Sequence, residues 1–123
     1  MTKILVVEDN ADNMKLFRWT LEDEGYQTTS ATSGEESLET AQRELFDLVI
    51  MDISLPGIDG KDAARRLRMN PEYAKRPILA ATAHAVRQEE NEIRRCGFTD
   101  MITKPIDEFQ LVEMIERLLA GVN

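Results

Sequence analysis

Acidic, hydroxyl and ammonium side chains stand directly behind short apolar runs in this chain. Glu8 and Asp9 follow ILVV at 4–7, Asp52 follows LVIM at 48–51, and Thr82 follows ILAA at 78–81; Thr103, Lys104 and Pro105 follow the weaker pair Met101 and Ile102. If these runs are strands of one parallel sheet, three carboxylates, a hydroxyl and an ammonium converge on a single rim. Packed carboxylates repel one another, and unless a cation enters, at least one must take up a proton. A hard divalent cation suits such oxygen donors. Magnesium keeps several waters and takes one or two carboxylates with a phosphate oxygen, and manganese accepts the same donors. With one His and one Cys in the chain, there is no cluster for a zinc site. A carboxylate beside a bound metal can attack phosphorus to form an aspartyl phosphate, with metal and ammonium balancing the charge on the transferred group. The chemistry indicated is phosphoryl transfer.

Any one of these residues alone reads as a cap or turn residue, as strand ends commonly carry Asp and Thr, and Asp12, Asp59 and Asp107 are read that way. The convergence of five on several strand ends carries the functional reading, so the elements that position them matter. The apolar runs read as strands buried on both faces. A further strand over 26–31 alternates weakly and suits a sheet edge. Between the runs lie segments of helical period, such as Met14, Phe17 and Leu21, or Leu111, Ile115, Leu118 and Leu119. Each lays one apolar stripe on the sheet. Ser33 and Glu36 have capping-box spacing, Asp107 precedes a helical run, Gly25, Gly97 and Gly121 follow such runs, and Asn70-Pro71 ends a helix around 63–67. The alternation βαβαβαβαβα predicts a three-layer α/β domain with right-handed crossovers. Five strands favour the flavodoxin-like (βα)5 fold with sheet order 2-1-3-4-5, in which ligands bind at the carboxyl rim between the first and third strands.

Composition bounds the alternatives. The chain has 123 residues, 42% of them hydrophobic, enough for one domain with a real core and without repeats or a linker. With 15 basic and 23 acidic residues, its net charge of −8 repels nucleic acid and anionic lipid, leaving proteins as the expected partners. The single Cys96 cannot form an internal disulfide, and no signal peptide or membrane span is visible, so a cytoplasmic setting is expected.

Together, ILVVEDN with Glu8 and Asp9, LVIMDISLPGIDG with Asp52, Pro56-Gly57 and Gly60, ATA with Thr82, and TKP with Lys104 closely resemble the receiver domain of bacterial two-component response regulators, over essentially the whole of 1–123. The resemblance implies that Asp52 accepts a phosphoryl group from a phosphohistidine of a sensor histidine kinase or histidine phosphotransferase. It implies that Glu8, Asp9, Asp52 and the backbone carbonyl of Ser54 hold magnesium, and that Thr82 and Lys104 contact the phosphoryl oxygens. It also implies a cis Lys104-Pro105 bond, which costs only about 0.5–1 kcal/mol over trans. Pro56-Gly57 suits the centre of a type II turn shaping the loop after Asp52. With no output domain expected after Asn123, the chain is expected to be a stand-alone regulator, its opening most like those controlling cell division. Its phosphorylation would switch a protein-binding surface, through the loop before the fourth helix, or relay the phosphate onward. Such a protein catalyses only its own phosphorylation and autodephosphorylation.

Two positions depart from the family pattern. Met101 stands where many receivers place an aromatic residue that moves inward on phosphorylation, leaving flexible repacking or backbone motion to couple the site outward. His84, two residues after Thr82, stands where the family helps set water access to the acyl phosphate, but a lone histidine is more often bland and it is not read as catalytic. Trp19 reads equally as a partner anchor or core cover, and Cys96 as structural. A phosphatase of the aspartyl-phosphate class would need D-x-D after the first strand, where Glu8-Asp9-Asn10 stands. A flavin carrier would need a phosphate-cradling loop where this acidic pair lies. A receiver-like interaction module that is not regulated by phosphorylation is the alternative reading, and the complete residue set argues against it.

Overall fold

A computed structural model describes residues 1–83 and 87–121; His84 and most of the loop expected to move before the fourth helix lie outside them. In chain order the elements are β1 (Lys3–Val7), α1 (Ala11–Asp23), β2 (Gln27–Ala31), α2 (Gly34–Arg43), β3 (Leu48–Asp52), α3 (Gly60–Arg68), a 3-10 turn (Pro71–Tyr73), β4 (Ile78–Thr82), α4 (Arg87–Arg95), β5 (Asp100–Thr103) and α5 (Glu108–Leu119). The strands pair in parallel, in the order β2-β1-β3-β4-β5. That is the order predicted from the strand count.

Strand composition explains the order. Every residue of β3 and β4 is buried, as central strands covered by helices on both faces require. The polar β2, QTTSA, lies at one edge with only Ala31 buried. The other edge corrects an expectation: in β5 only Ile102 is buried and Met101 is half-buried, because this strand pairs on one side only and is incompletely covered.

Alternation along the strands divides the core. Leu5, Val7, Val49, Met51, Ile78 and Ala80 face Ala41 of α2, Ala63, Ala64 and Leu67 of α3 and Ile93 of α4. Ile4, Val6, Leu48, Ile50, Leu79 and Ala81 face Phe17 and Leu21 of α1 and Leu111, Ile115 and Leu118 of α5. Met14 and Leu119 are only half-buried, at the margin of the second cluster. Side-chain caps open four of the helices. Asn10, Ser33, Asp59 and Asp107 each accept a hydrogen bond from the backbone N–H three residues on, and Gly25, Gly97 and Gly121 adopt positive φ.

Two polar side chains tie distant segments together. The buried Tyr73 hydroxyl accepts from Phe46 N–H (3.1 Å) and lies at hydrogen-bond distance from the carbonyls of Ala41 (3.2 Å) and Glu44 (3.0 Å). Arg68, at the end of α3, donates to the carbonyls of Gly97 (2.8 Å), Tyr73 (2.6 Å) and Arg76 (2.5 Å) and to Thr99 Oγ1 (3.2 Å). Burial lowers its pKa from the ordinary value. Among the described residues no helix is long and apolar enough to cross a membrane.

Candidate functional site

The carboxyl ends of β1, β3, β4 and β5 bring the five singled-out side chains to one rim. Glu8 leaves β1 but stays in the ladder, its N–H donating to Ala31 O (3.0 Å), and its side chain is held inward at 1% exposure. Its Oε2 accepts from Asn10 N–H (3.1 Å). Asp9, one residue on, is exposed. Asp52 closes β3, is buried, and its Oδ1 accepts from Ser54 N–H (3.0 Å). Thr82 ends β4 and is buried. Lys104 follows β5, its N–H continuing the ladder to Thr82 O (2.8 Å), and the next peptide bond, Lys104-Pro105, is cis as expected.

The electrostatics centre on one ammonium between two carboxylates. Lys104 Nζ lies 3.0 Å from Asp52 Oδ2 and 3.0 Å from Glu8 Oε1. Burial by itself would lower the lysine pKa, but the paired carboxylates of Glu8 and Asp52 outweigh it and hold the ammonium above its ordinary value. Burial pushes Glu8 up to about 7; Asp52 adds to the rise, while Lys104 and Asn10 N–H oppose it. One cation does not balance this cluster.

The donor set fits a hard divalent ion. Carboxylate oxygens of Glu8, Asp9 and Asp52 lie within 4.8 Å of one another. Glu8 Oε1 is wholly buried and meets the Lys104 ammonium as an ion pair without hydrogen-bond geometry, leaving lone pairs for a metal. Ser54, two residues beyond Asp52, is exposed.

The sheet and loops around Asp52 are built on close approaches. Gly57 has φ +75°, as the second central residue of a type II turn requires. Glu35 of α2 meets this loop, its Oε2 accepting from Ile58 N–H (3.4 Å). Gly60 opens α3 with its N–H on Ile53 O (2.9 Å); a Cβ there would stand 2.1 Å from Asp52 O. Sequence reasoning quoted Gly60 only within a motif and missed Asn10 as the donor to Glu8; its one signal was a cap-type residue just before a helical run. Met101 packs half-buried against the α2–α4 side of the core, Cys96 is a buried free thiol, and Trp19 is 69% exposed.

Comparison with known proteins agrees with this geometry. The description of the response regulator receiver domain matches residues 4–116. The polar-differentiation response regulator DivK of Brucella ovis is 40% identical over 120 residues, spanning 97% of this chain and 98% of that protein. The chemotaxis response regulator CheY4 of Vibrio cholerae shares 30% identity and superposes with a TM-score of 0.93 over 96% of this chain and 98% of its own. The receiver domain of a sensor histidine kinase from Pseudomonas aeruginosa PAO1, solved with magnesium coordinated in its active site cleft, shares 30% identity with a TM-score of 0.90, covering 97% and 98% of the two chains. With an acidic rim, a lysine on it and relatives matched nearly end to end, the chain belongs to the response regulator receiver domain family.

Proposed function

We propose that Asp52 is the phosphoacceptor of a single receiver domain over residues 1–123, charged by a phosphohistidine on a sensor histidine kinase or histidine phosphotransferase. Receivers take phosphate from histidine kinases and bind downstream targets; this chain is a signalling protein rather than a metabolic enzyme. One observation carries the reading: the Lys104 ammonium lies 3.0 Å from both Glu8 and Asp52, two members of a cluster of three carboxylates. An Asp52 oxygen attacks phosphorus in line with the departing imidazole nitrogen, so a P–O bond forms as the P–N bond breaks. Lys104 shifts from carboxylate to phosphoryl oxygen, and the Thr82 hydroxyl donates to another. Glu8, Asp9, Asp52 and the Ser54 backbone carbonyl would hold magnesium, or manganese on the same oxygen donors. When bound, the ion supplies positive charge against the carboxylates and the phosphoryl oxygens. Attack of water on the acyl phosphate resets Asp52.

The output in this reading is a switched protein-binding surface or onward phosphate transfer; the DivK relative, matched nearly end to end, is itself a response regulator. Its setting is the cytoplasm, where the buried thiol of Cys96 stays reduced. Intact mass after incubation with acetyl phosphate, with and without magnesium, tests the assignment. The native chain is expected to gain one phosphate only with the metal, and Asp52→Ala none. No adduct on the native chain, or equal labelling of Asp52→Ala, would overturn it in favour of an interaction module independent of phosphorylation.

A further inference from the structure

The loop between β3 and α3 carries the Ser54 carbonyl, and the first turn of α2 clasps this loop from the side. Gly60 N–H on Ile53 O (2.9 Å) closes the base of the loop, and Leu55 and Ile58 pack against the α2–α4 side of the core. Neither contact holds the tip, where Pro56 and Gly57 are exposed. Glu35 does. Its carboxylate lies against Gly57, where a Cβ would stand 2.6 Å from Oε2 and 3.0 Å from Oε1, and Oε2 accepts from Ile58 N–H (3.4 Å). Among the described residues this is the one hydrogen bond to the backbone of 55–58. The helix backbone presses on the same place: a Cβ on Gly34 would stand 2.6 Å from Ile58 Cγ1 and 3.0 Å from Ile58 O, so a glycine is what lets α2 approach the loop this closely.

That turn of α2 is itself anchored. The Ser33 hydroxyl accepts from Glu36 N–H (3.0 Å), and the Glu36 carboxylate accepts in return from the N–H and hydroxyl of Thr32. Ala31, one residue earlier, accepts from Glu8 N–H (3.0 Å). A continuous strut therefore runs from the backbone of Glu8 through the capped turn to the loop that holds Ser54. The capping box uses Ser33 and Glu36, so Glu35 is not needed to start the helix. Nor does Glu35 join the carboxylates that lie within 4.8 Å of one another, which among the described residues are those of Glu8, Asp9 and Asp52. We infer that Glu35 is a positioning residue for the metal: by holding the tip of the loop at 57 and 58 it fixes the Ser54 carbonyl, and so sets how tightly magnesium binds. Groups that orient a metal ligand without touching the ion govern affinity in this way. The inference rests on the proposed metal set of Glu8, Asp9, Asp52 and the Ser54 carbonyl.

Magnesium chloride titrated calorimetrically into the unphosphorylated chain measures this affinity without any phosphoryl transfer. Glu35→Ala is expected to weaken binding about tenfold, the lower end of what losing a ligand's outer support costs. Glu35→Gln keeps an oxygen acceptor of the same shape and should stay within about twofold of native. Glu39→Ala removes an exposed acid one turn further along α2 and should also stay within about twofold. Acetyl phosphate labelling supplies the second readout: in Glu35→Ala the half-saturating magnesium concentration should rise by the same ratio, while the rate at saturating magnesium stays within about twofold of native. The inference is overturned if Glu35→Ala binds magnesium within twofold of native. It is overturned equally if Glu35→Gln loses as much as Glu35→Ala, making charge rather than the bond the cause, or if Glu39→Ala does. A saturated rate that falls while affinity is kept would overturn it too. With any of these results in a native chain that binds magnesium and labels, the Asp52 assignment stands. A native chain that binds magnesium in the expected pattern but never labels would refute only that assignment. A native chain that binds no magnesium would overturn the metal set and this inference together.

Discussion

Replacing Gly60 by alanine sets two physical effects against each other. The residue opens α3 and is not at positive φ, so helix propensity and a less flexible unfolded chain favour Ala by about 0.5–1 kcal/mol. The new Cβ, however, would stand 2.1 Å from Asp52 O, 2.8 Å from Ile53 Cα and 2.9 Å from Asp52 C. All three are backbone atoms of the central strand and its exit, which cannot rotate away, so the chain must give by about 1 Å. Overpacking of this kind costs typically about 1–3 kcal/mol, which leaves a net loss of about 1 kcal/mol. At about 2.1 cal/mol/K per residue over 123 residues, the unfolding entropy is about 0.26 kcal/mol/K, so Tm should fall by about 4 °C. The carboxylate of Asp52 moves with its backbone, and a misplacement of about 1 Å can cost up to about 100-fold in rate. Acetyl phosphate labelling, followed by intact mass well below the lowered Tm, should therefore slow by at least about tenfold. Gly25→Ala is the control: at φ +91° with nothing within 4 Å, it should cost about 1–2 kcal/mol in backbone strain and leave labelling unchanged. A Gly60→Ala chain with native or higher Tm and native labelling would refute the reasoning.

Three further outcomes are expected. Glu8 is shifted from 4.5 to about 7 in the fold, so its neutral form is favoured there; that stability, about 3 kcal/mol, is present below pH about 4.5 and lost as pH rises through about 7. Metal-free Tm should fall over this window, magnesium should raise Tm more at pH about 8 than at pH about 5, and Glu8→Gln should flatten the metal-free trend; an unchanged trend in that variant would exclude Glu8 as its source. Lys104→Ala removes the cation between Glu8 and Asp52; labelling should drop by about 100-fold or more while magnesium still raises Tm, and labelling within threefold of native would count against a phosphoryl-contacting lysine. Tyr73→Phe leaves Phe46 N–H and two carbonyls without the hydroxyl, so urea unfolding should show a loss of about 1–3 kcal/mol with labelling intact; a loss under about 0.5 kcal/mol would show that water replaces it.

Patterns local in the chain were legible in the sequence, and properties made by distant packing were not. The runs in β1, β3 and β4 and the polar QTTSA of β2 encode burial directly, so strand order and the rim followed. The pair Met101 and Ile102 was too short to reveal that β5 is a half-covered edge. Glu8 and Asp9 are chemically alike in sequence, yet one is buried at 1% exposure and the other exposed, a division made by the turn from β1 into α1. Helical period placed Phe17 and Leu111 inward but left Trp19 undecided, since what lies beside a helix depends on the neighbouring helix.

Arg68 has a mechanical consequence. Its guanidinium binds the carbonyls of Tyr73, Arg76 and Gly97 and the Thr99 hydroxyl, fastening the end of α3 to the turn through which α4 returns to β5. Cys96, at that same end, is buried. The carboxyl end of α4 is thereby fastened to the body of the domain, so any displacement of this helix would have to turn about that end rather than slide along the helix axis.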